Sequence, residues 1–256
     1  GEEVLPGGAS IMIKEGVLEN PKVDKILALH VFPSMDVGRV GFKPGQYMAA
    51  CDELYLTVKG KGGHAALPHE YNNPIMIMAE LLPKLESYLS SLSDGTSPYI
   101  FAFGKMMADG ATNVIPQIAK AEGTLRTMDE QWRTDVHEKL EHFVADFLNA
   151  KNAEGQLHIA KGYPSLINDE NLTRCSMQSA IDYLGTENVE EMDVRMTAED
   201  FSFYSQKIPA CFFRLGVRNE DLGIVYGVHH PKFDIDKNAL KTGAGMMAHL
   251  ALKALD

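Results

Sequence analysis

The order of predicted strands and helices between residues 52 and 163 constrains the fold of this chain more than any other feature of its sequence. Polar and apolar residues alternate over residues 52–60, which predicts a strand with one solvated face. Hydrophobic periodicity then predicts a helix, two strands, a helix and a strand, at about 74–92, 98–107, 117–128, 130–150 and 156–163. This βαββαβ order is typical of a ferredoxin-like domain, in which an antiparallel sheet carries two helices on one face.

The sequence on either side of this segment predicts a second domain with α/β layers. A helix at 9–18 that ends near Gly16 is followed by a buried strand at 25–31 and a glycine-rich connection at 38–48. The later elements are a helix, a strand, a short helix, a strand and a final helix, at about 170–185, 193–196, 200–206, 210–216 and 237–255. We therefore predict one α/β domain, formed by residues 1–47 and 164–256, that is interrupted by an inserted domain of residues 48–163.

Composition excludes several classes of protein. The chain has 256 residues, of which 45% are hydrophobic and 23% charged, an ordinary globular balance. The net charge is −11 and no block of lysine or arginine occurs, which argues against nucleic acid as a partner. No apolar run reaches the length of a membrane span, so we expect no membrane contact. The three cysteines, Cys51, Cys175 and Cys211, form no CxxC pair, which favours buried, reduced thiols of a cytoplasmic protein.

Carboxylates and histidines that suit a hydrolytic metal centre occur in three distant segments. Glu2 and Glu3 are adjacent, His30 follows the apolar run of a predicted strand, and His229-His230 precedes a proline. Carboxylate and imidazole groups hold divalent ions, and a neighbouring carboxylate can deprotonate metal-bound water. Each segment also has an ordinary interpretation: a solvated acidic pair, a histidine bonded to backbone, and a polar loop.

Three further segments combine turn residues with reactive side chains. His64 lies in the glycine-rich stretch 60–68, and Asn113 precedes a predicted strand that carries Arg126. The third segment is Met196-Thr197-Ala198-Glu199-Asp200-Phe201. The ordinary interpretations are a glycine turn with an exposed histidine, an asparagine turn with a surface arginine, and a helix N-cap at Thr197.

Taken together and in this order, the segments resemble a known enzyme family. The chain is similar to the co-catalytic zinc amidohydrolases related to aminoacylase, hippurate hydrolase, N-acetyldiaminopimelate deacetylase and the plant auxin-conjugate hydrolases. The matching pieces are Glu2-Glu3, Ala28-Leu29-His30-Val31, GlyLysGlyGlyHisAlaAlaLeuPro at 60–68, AsnValIlePro at 113–116, GlyThrLeuArgThr at 123–127, AlaGluAspPhe at 198–201 and His229-His230-Pro231-Lys232-Phe233. The family fold implied is a zinc-exopeptidase-like α/β domain with an inserted lid.

The resemblance implies roles for the metal-site residues. Glu2 would be the general base, and Glu3, His30 and His229 would be metal ligands, with His230 as a neighbour. The intact family site holds two divalent ions, zinc being expected and manganese, cobalt or nickel being alternatives. The implied reaction is hydrolysis of the amide bond of an N-acyl amino acid.

The resemblance also implies roles for the inserted domain. It would be the family's lid, through which most members form homodimers. His64 would reach the substrate carbonyl oxygen, often in the partner subunit's site, and Asn113 and Arg126 would contact the substrate, the arginine commonly at its carboxylate.

One departure from the family is large. Members carry an upstream segment with a His-x-Cys-Gly-His-Asp type motif that completes the two-metal site, and the present sequence contains no such motif. We therefore expect an N-terminally truncated member that is inactive as this fragment. The alternatives are a non-catalytic dimerisation or binding fragment, and a peptidase that acts on short peptides.

Overall fold

The computed structural model describes residues 6–255, which belong to two compact units. Unit 1 consists of Gly1–Met48, Leu166–Arg195 and Glu199–Asp256, and unit 2 consists of Ala49–Ser165 and Met196–Ala198. Glu2 and Glu3 lie outside the described residues.

Six α-helices and twelve strands form the two units in the described part of the chain. The helices are α1 (Gly8–Lys14), α2 (Pro74–Ser91), α3 (Glu130–Ala150), α4 (Glu170–Leu184), α5 (Ser202–Ser205) and α6 (Asn238–Leu255). The strands are β1 (Ile26–Asp36), β2 (Val40–Phe42), β3 (Gly45–Met48), β4 (Ala50–Lys59), β5 (Gly63–His64), β6 (Tyr99–Ala108), β7 (Val114–Ile115), β8 (Ile118–Thr127), β9 (Glu154–Lys161), β10 (Leu166–Asn168), β11 (Val189–Glu191) and β12 (Ala210–Arg218). One 3-10 turn, Thr186–Asn188, precedes β11.

Local capping explains where the main helices begin and end. The Asn73 side chain accepts a hydrogen bond from the backbone of Ile75, with Pro74 at the first helical position of α2. Asp129 caps α3 by accepting from the backbone of both Gln131 and Trp132. Gly16, just beyond α1, has a φ of 85°, which suits a glycine after a helix.

Unit 2 contains a four-stranded antiparallel sheet in the order β6-β8-β4-β9. Along the chain its elements run β4, α2, β6, β8, α3, β9, with the small β5–β7 pair beside them. The inward residues of β4 alternate along the strand and pack in one core with leucines of both helices. This core includes Leu54, Leu56 and Val58 of β4, Leu81 and Leu85 of α2, and Leu140 of α3. One face of the sheet therefore carries both helices, which is the reason that β4 alternates in sequence.

Unit 1 contains a second four-stranded sheet, in the order β1-β12-β2-β11. Strand β12 runs parallel to β1 and antiparallel to β2, and nearly all of its residues are buried. One core holds residues of α4 and α6, including Leu172, Ala180 and Met246. A second core holds residues of α1 and α5, including Ala9 and Tyr204. An α/β layer arrangement results, with β12 inside it.

Three details of the sequence-based predictions are wrong. No strand forms at 193–196, where Arg195 makes only an isolated bridge with Met48; the strand in this region is β11. The segment 38–48, predicted as a connection because of its glycines, contains the strands β2 and β3. Cys175 is exposed, whereas Cys211 is buried; all three cysteines are free thiols.

The short segment Met196–Ala198 also differs from expectation, because it belongs to unit 2. The backbone of Ala49 donates a hydrogen bond of 3.1 Å to the Thr197 carbonyl, and Arg126 donates one of 3.1 Å to the Met196 carbonyl. Within residues 6–255, no helix is both long and apolar enough to cross a bilayer.

Candidate functional site

His30 lies in β1 with one ring nitrogen held by the backbone. Its Nδ1 is 2.7 Å from the carbonyl oxygen of Val31. Because a carbonyl can only accept, Nδ1 carries the hydrogen in neutral His30, and the lone pair is left on Nε2. This is the arrangement that a histidine uses when it binds a metal ion through Nε2.

His229 and His230 lie in an exposed loop, and the structure distinguishes between them. His230 stacks on Tyr226 with ring centroids 4.4 Å apart, and its Nδ1 accepts a hydrogen bond of 3.0 Å from the backbone of Lys232. Nε2 of neutral His230 therefore carries the hydrogen, and in this tautomer it has no lone pair for a metal ion. His229 has a φ of 66°, in the left-handed region that non-glycine residues seldom adopt.

His64 and Asn113 come together in the β5–β7 pair of unit 2. His64 lies opposite Val114, and the backbone of Ala65 donates to the carbonyl of Asn113 at 3.0 Å. The backbone of Ala66 donates a hydrogen bond of 3.1 Å to His64 Nδ1. Nε2 of neutral His64 therefore carries a hydrogen, on an exposed side chain, and is a donor.

Arg126 lies on β8 of the same unit, partly buried. Its Nη1 donates to the Met196 carbonyl at 3.1 Å, which anchors one edge of the guanidinium. Among residues 6–255 no hydrogen bond links Arg126 to His64 or Asn113, so the described contacts join only two of the three residues predicted to meet the substrate.

The whole chain, with few residues excepted, matches one family of known proteins. The family model of Peptidase family M20/M25/M40 matches residues 1–253. The chain belongs to this family. The resemblance inferred from the sequence motifs is thereby confirmed, and so is the α/β fold of M20 peptidases.

Relatives of the M20 chain include curated enzymes and solved structures. It is 33% identical over 242 residues to N-acetyldiaminopimelate deacetylase of Geobacillus sp. (strain WCH70), which covers 94% of this chain and 63% of the relative. A crystal structure from methicillin-resistant Staphylococcus aureus superposes with a TM-score of 0.87 at 27% identity, over 99% of this chain and 64% of that one. The YxeP protein of Bacillus subtilis, described as a dinuclear metal binding peptidase from the M20 family, gives a TM-score of 0.79 at 25% identity, over 100% of this chain and 63% of that one. The M20 chain thus spans somewhat less than two thirds of the length of these relatives.

A metal ion in a protein is held by several His, Cys, Asp or Glu side chains that lie close together. Within residues 6–255, no group of three or more His, Cys, Asp or Glu side chains is placed to hold one. His30 has a suitable free Nε2, yet the described donors around it do not amount to a metal centre. Glu3, the predicted third ligand, and Glu2, the predicted base, lie outside the described residues.

The AlaGluAspPhe motif has a structural role in this M20 chain. Asp200 Oδ2 accepts a hydrogen bond of 2.8 Å from the backbone of Ala9, in the first turn of α1. The expected N-cap at Thr197 is wrong, since α5 begins after Phe201 without a side-chain cap. The motif satisfies a free N–H group at the start of a helix far away in sequence.

A buried ion network in unit 2 escaped the sequence-based predictions. Asp52 Oδ2 accepts from Arg133 Nε at 2.9 Å and lies 2.6 Å from His137 Nε2, and Arg133 Nη1 donates to Glu130 at 3.0 Å. Asp52 and Arg133 are 1% and 0% exposed. Although burial raises the pKa of Asp52, the bonds from Arg133 and His137 lower it to about 2. The only sequence signal was one polar residue at an inward position of β4.

Proposed function

We propose that this chain serves a metal-dependent amidohydrolase that cleaves the amide bond of N-acyl amino acids. The observation that carries the proposal is the match to Peptidase family M20/M25/M40 over residues 1–253, together with a relative that is N-acetyldiaminopimelate deacetylase. The use of divalent metal is supported by YxeP, described as binding a dinuclear metal site. Zinc is the ion proposed, with manganese, cobalt or nickel as alternatives.

In unit 1, His30 and His229 are proposed as metal ligands together with Glu3. The free Nε2 of His30 supports its assignment, and the hydrogen on Nε2 of His230 favours His229 over its neighbour. Glu2 is proposed as the general base, which would take a proton from the attacking water and pass it to the leaving amine.

In unit 2, three side chains are proposed to bind the substrate. The Nε2–H of His64 would donate to the carbonyl oxygen as negative charge develops on it during attack. The exposed amide of Asn113, next to it in the β5–β7 pair, would add a further hydrogen bond. Arg126 would pair with the free carboxylate of the amino acid, because a guanidinium matches two carboxylate oxygens.

We further propose that unit 2 acts as a lid and joins two copies of the protein. Its sheet ends in β6, an edge strand that exposes Ile100 (39%) and Met106 (57%). An open edge of this kind can pair with a copy of itself across a two-fold axis. Sedimentation at micromolar concentration tests this, and a monomer that persists on concentration would contradict it.

A second candidate function is a peptidase that acts on short peptides, which the description of YxeP favours. The same ligands and base would serve both reactions, so only the acyl side of the substrate differs. Comparing N-acetyl amino acids with dipeptides as substrates separates the two. A cytoplasmic location remains a prediction from the cysteine content.

Two samples test the proposed activity. Residues 1–256 alone should bind zinc weakly in calorimetry and should not hydrolyse N-acetyl amino acids, since their sequence contains no His-x-Cys-Gly-His-Asp type motif to complete the proposed site. The complete product of the gene should bind zinc and should release acetate from N-acetyl amino acids. Tight zinc binding and turnover by residues 1–256 alone, abolished by Glu2→Ala, would contradict the inactivity. A zinc-loaded complete product without turnover on amides would overturn the function itself.

His64→Ala tests the role of the proposed lid in the complete gene product. We expect a loss of roughly a hundred- to a thousandfold in turnover, the usual cost of removing one oxyanion donor, with zinc content unchanged. His142→Ala, an exposed histidine of α3, is the matched control and should leave both unchanged. Loss of zinc from the His64 variant would show that the assigned role is wrong.

A further inference from the structure

Two arginines of unit 1 lie side by side on the face of the sheet that carries His30. Arg214 is the neighbour of His30 across β1 and β12, and it is 5% exposed. The guanidinium carbons of Arg195 and Arg214 lie 4.8 Å and 6.0 Å from the centroid of the Phe32 ring. Two positive charges thus share one aromatic side chain.

No carboxylate balances this pair in the described part of the chain. No salt bridge joins Arg195 or Arg214 to an acidic residue within 6–255, and Arg214 donates to the Tyr47 hydroxyl at 3.0 Å and to the Met48 sulfur at 3.2 Å. Arg195 Nε is buried and has no hydrogen-bond partner there. Burial and the neighbouring charge of Arg214 lower the pKa of Arg195. Among residues 6–255, the two guanidinium groups therefore have no negatively charged partner.

Aromatic rings account for only part of this arrangement. Arg214 lies over Phe212 at 5.0 Å and over Tyr47 at 5.8 Å, contacts that favour a cation. These rings do not provide a hydrogen-bond acceptor for Arg195 Nε. They also do not remove the repulsion between the two guanidinium groups, which is strong where few water molecules screen it.

We propose that Arg195 and Arg214 form a binding site for the carboxylate of a small molecule. A carboxylate has two acceptor oxygens, so it can take hydrogen bonds from the guanidinium of Arg195, a residue that is only partly buried, and neutralise the paired charges. Arg195 and Arg214 both belong to unit 1, whereas Arg126 belongs to unit 2. It does not depend on the proposed amidohydrolase activity, because binding can be measured without turnover.

Calorimetric titration of the 256-residue chain with succinate, at ionic strength held constant with sodium chloride, tests the proposal. We expect saturable binding that Arg195→Met weakens by roughly ten- to a hundredfold, the value of a charge-assisted hydrogen bond. Arg174→Met is the matched control, since Arg174 is an exposed arginine of α4 in the same unit, and should bind as the wild type does. Arg195→Lys should fall between them, because lysine keeps the charge and lacks the planar fork.

A thermal unfolding series on the same samples guards against a folding defect. At the same succinate concentration, the midpoint should rise for the wild type and for Arg174→Met, and should rise clearly less for Arg195→Met. Absence of saturable binding, or an equal loss in both methionine variants, would overturn the proposal. Binding that appears only after Glu2 and Glu3 are changed to glutamine would also overturn it, because a carboxylate of this chain would then be the ligand.

Discussion

Arg133 in unit 2 and Arg214 in unit 1 are both almost fully buried, at 0% and 5% exposure, yet their surroundings differ in charge. Arg133 contacts two carboxylates, Asp52 and Glu130. Arg214 contacts aromatic rings, a sulfur and a hydroxyl, and its charged neighbour is Arg195. A buried charge that contacts counter-ions is neutralised within the fold, whereas a buried charge without them is destabilising, and a bound anion would offset that cost. We therefore assign Arg133 a role in the stability of unit 2 and Arg214 a role in binding an anion.

His30 in unit 1 and His64 in unit 2 also differ, in the ring nitrogen that carries the hydrogen. In His30 the backbone accepts from Nδ1, and in His64 the backbone donates to Nδ1. Neutral His30 therefore offers a lone pair on Nε2, and neutral His64 offers a hydrogen there. Opposite roles, ligand and donor, follow from one backbone hydrogen bond in each case.

The largest expected effect separates the two arginines. Arg133→Met should cost about 3–5 kcal/mol of unfolding free energy, because it leaves Asp52 buried without its counter-ion. Arg214→Met should cost clearly less, since it removes no ion pair and relieves repulsion with Arg195. Urea unfolding of both variants measures this. An equal loss of unfolding free energy in the two variants would contradict the different roles assigned to Arg133 and Arg214.

The next effect is the dependence of stability on acid. The folded pKa of Asp52, about 2, lies below its ordinary value of 3.8. Its contribution is therefore complete above about pH 4 and is lost as the pH falls towards 2, amounting to about 2 kcal/mol. Unfolding free energies measured from pH 5 to pH 2 test this. The Asp52→Asn variant should lack this part of the slope, and an unchanged slope would refute the assignment.

The smallest effect concerns the helix that carries Arg133. Asp129→Ala removes the acceptor for the backbone of Gln131 and Trp132, both at 2.9 Å, and should cost about 1 kcal/mol. Asp146→Ala, on the exposed face of α3, is the control and should change the unfolding free energy little. A loss as large as that of Arg133→Met would show that capping of α3, and not the ion network, holds this end of unit 2.

The elements that could be predicted from the sequence are those whose signals are local. The predicted strand at 117–128 and helix at 130–150 agree with Ile118–Thr127 and Glu130–Ala150, because alternation, helical spacing and the Asp129 cap act within a few residues. Strands β2 and β11 escaped prediction, since each has three residues and is specified by partners distant in the chain.

The candidate site shows the same division. His30 and His64 were found from their neighbours in sequence, but the hydrogen position on each ring depends on backbone geometry that no motif encodes. The pairing of Asp52 with Arg133 joins two residues that are 81 positions apart in the sequence. The proximity of Arg195 to Arg214 likewise depends on the fold, because both guanidinium groups lie over the ring of Phe32, which is distant from them in sequence.

The central claim is that backbone contacts set His30 as a ligand and His64 as a donor. Nitrogen-15 NMR of the imidazole rings in the 256-residue chain, at a pH where both are neutral, tests it directly. We expect the hydrogen on Nδ1 in His30 and on Nε2 in His64, with His230 resembling His64. A hydrogen on Nε2 of His30, or on Nδ1 of His64, would contradict the assignment of opposite roles.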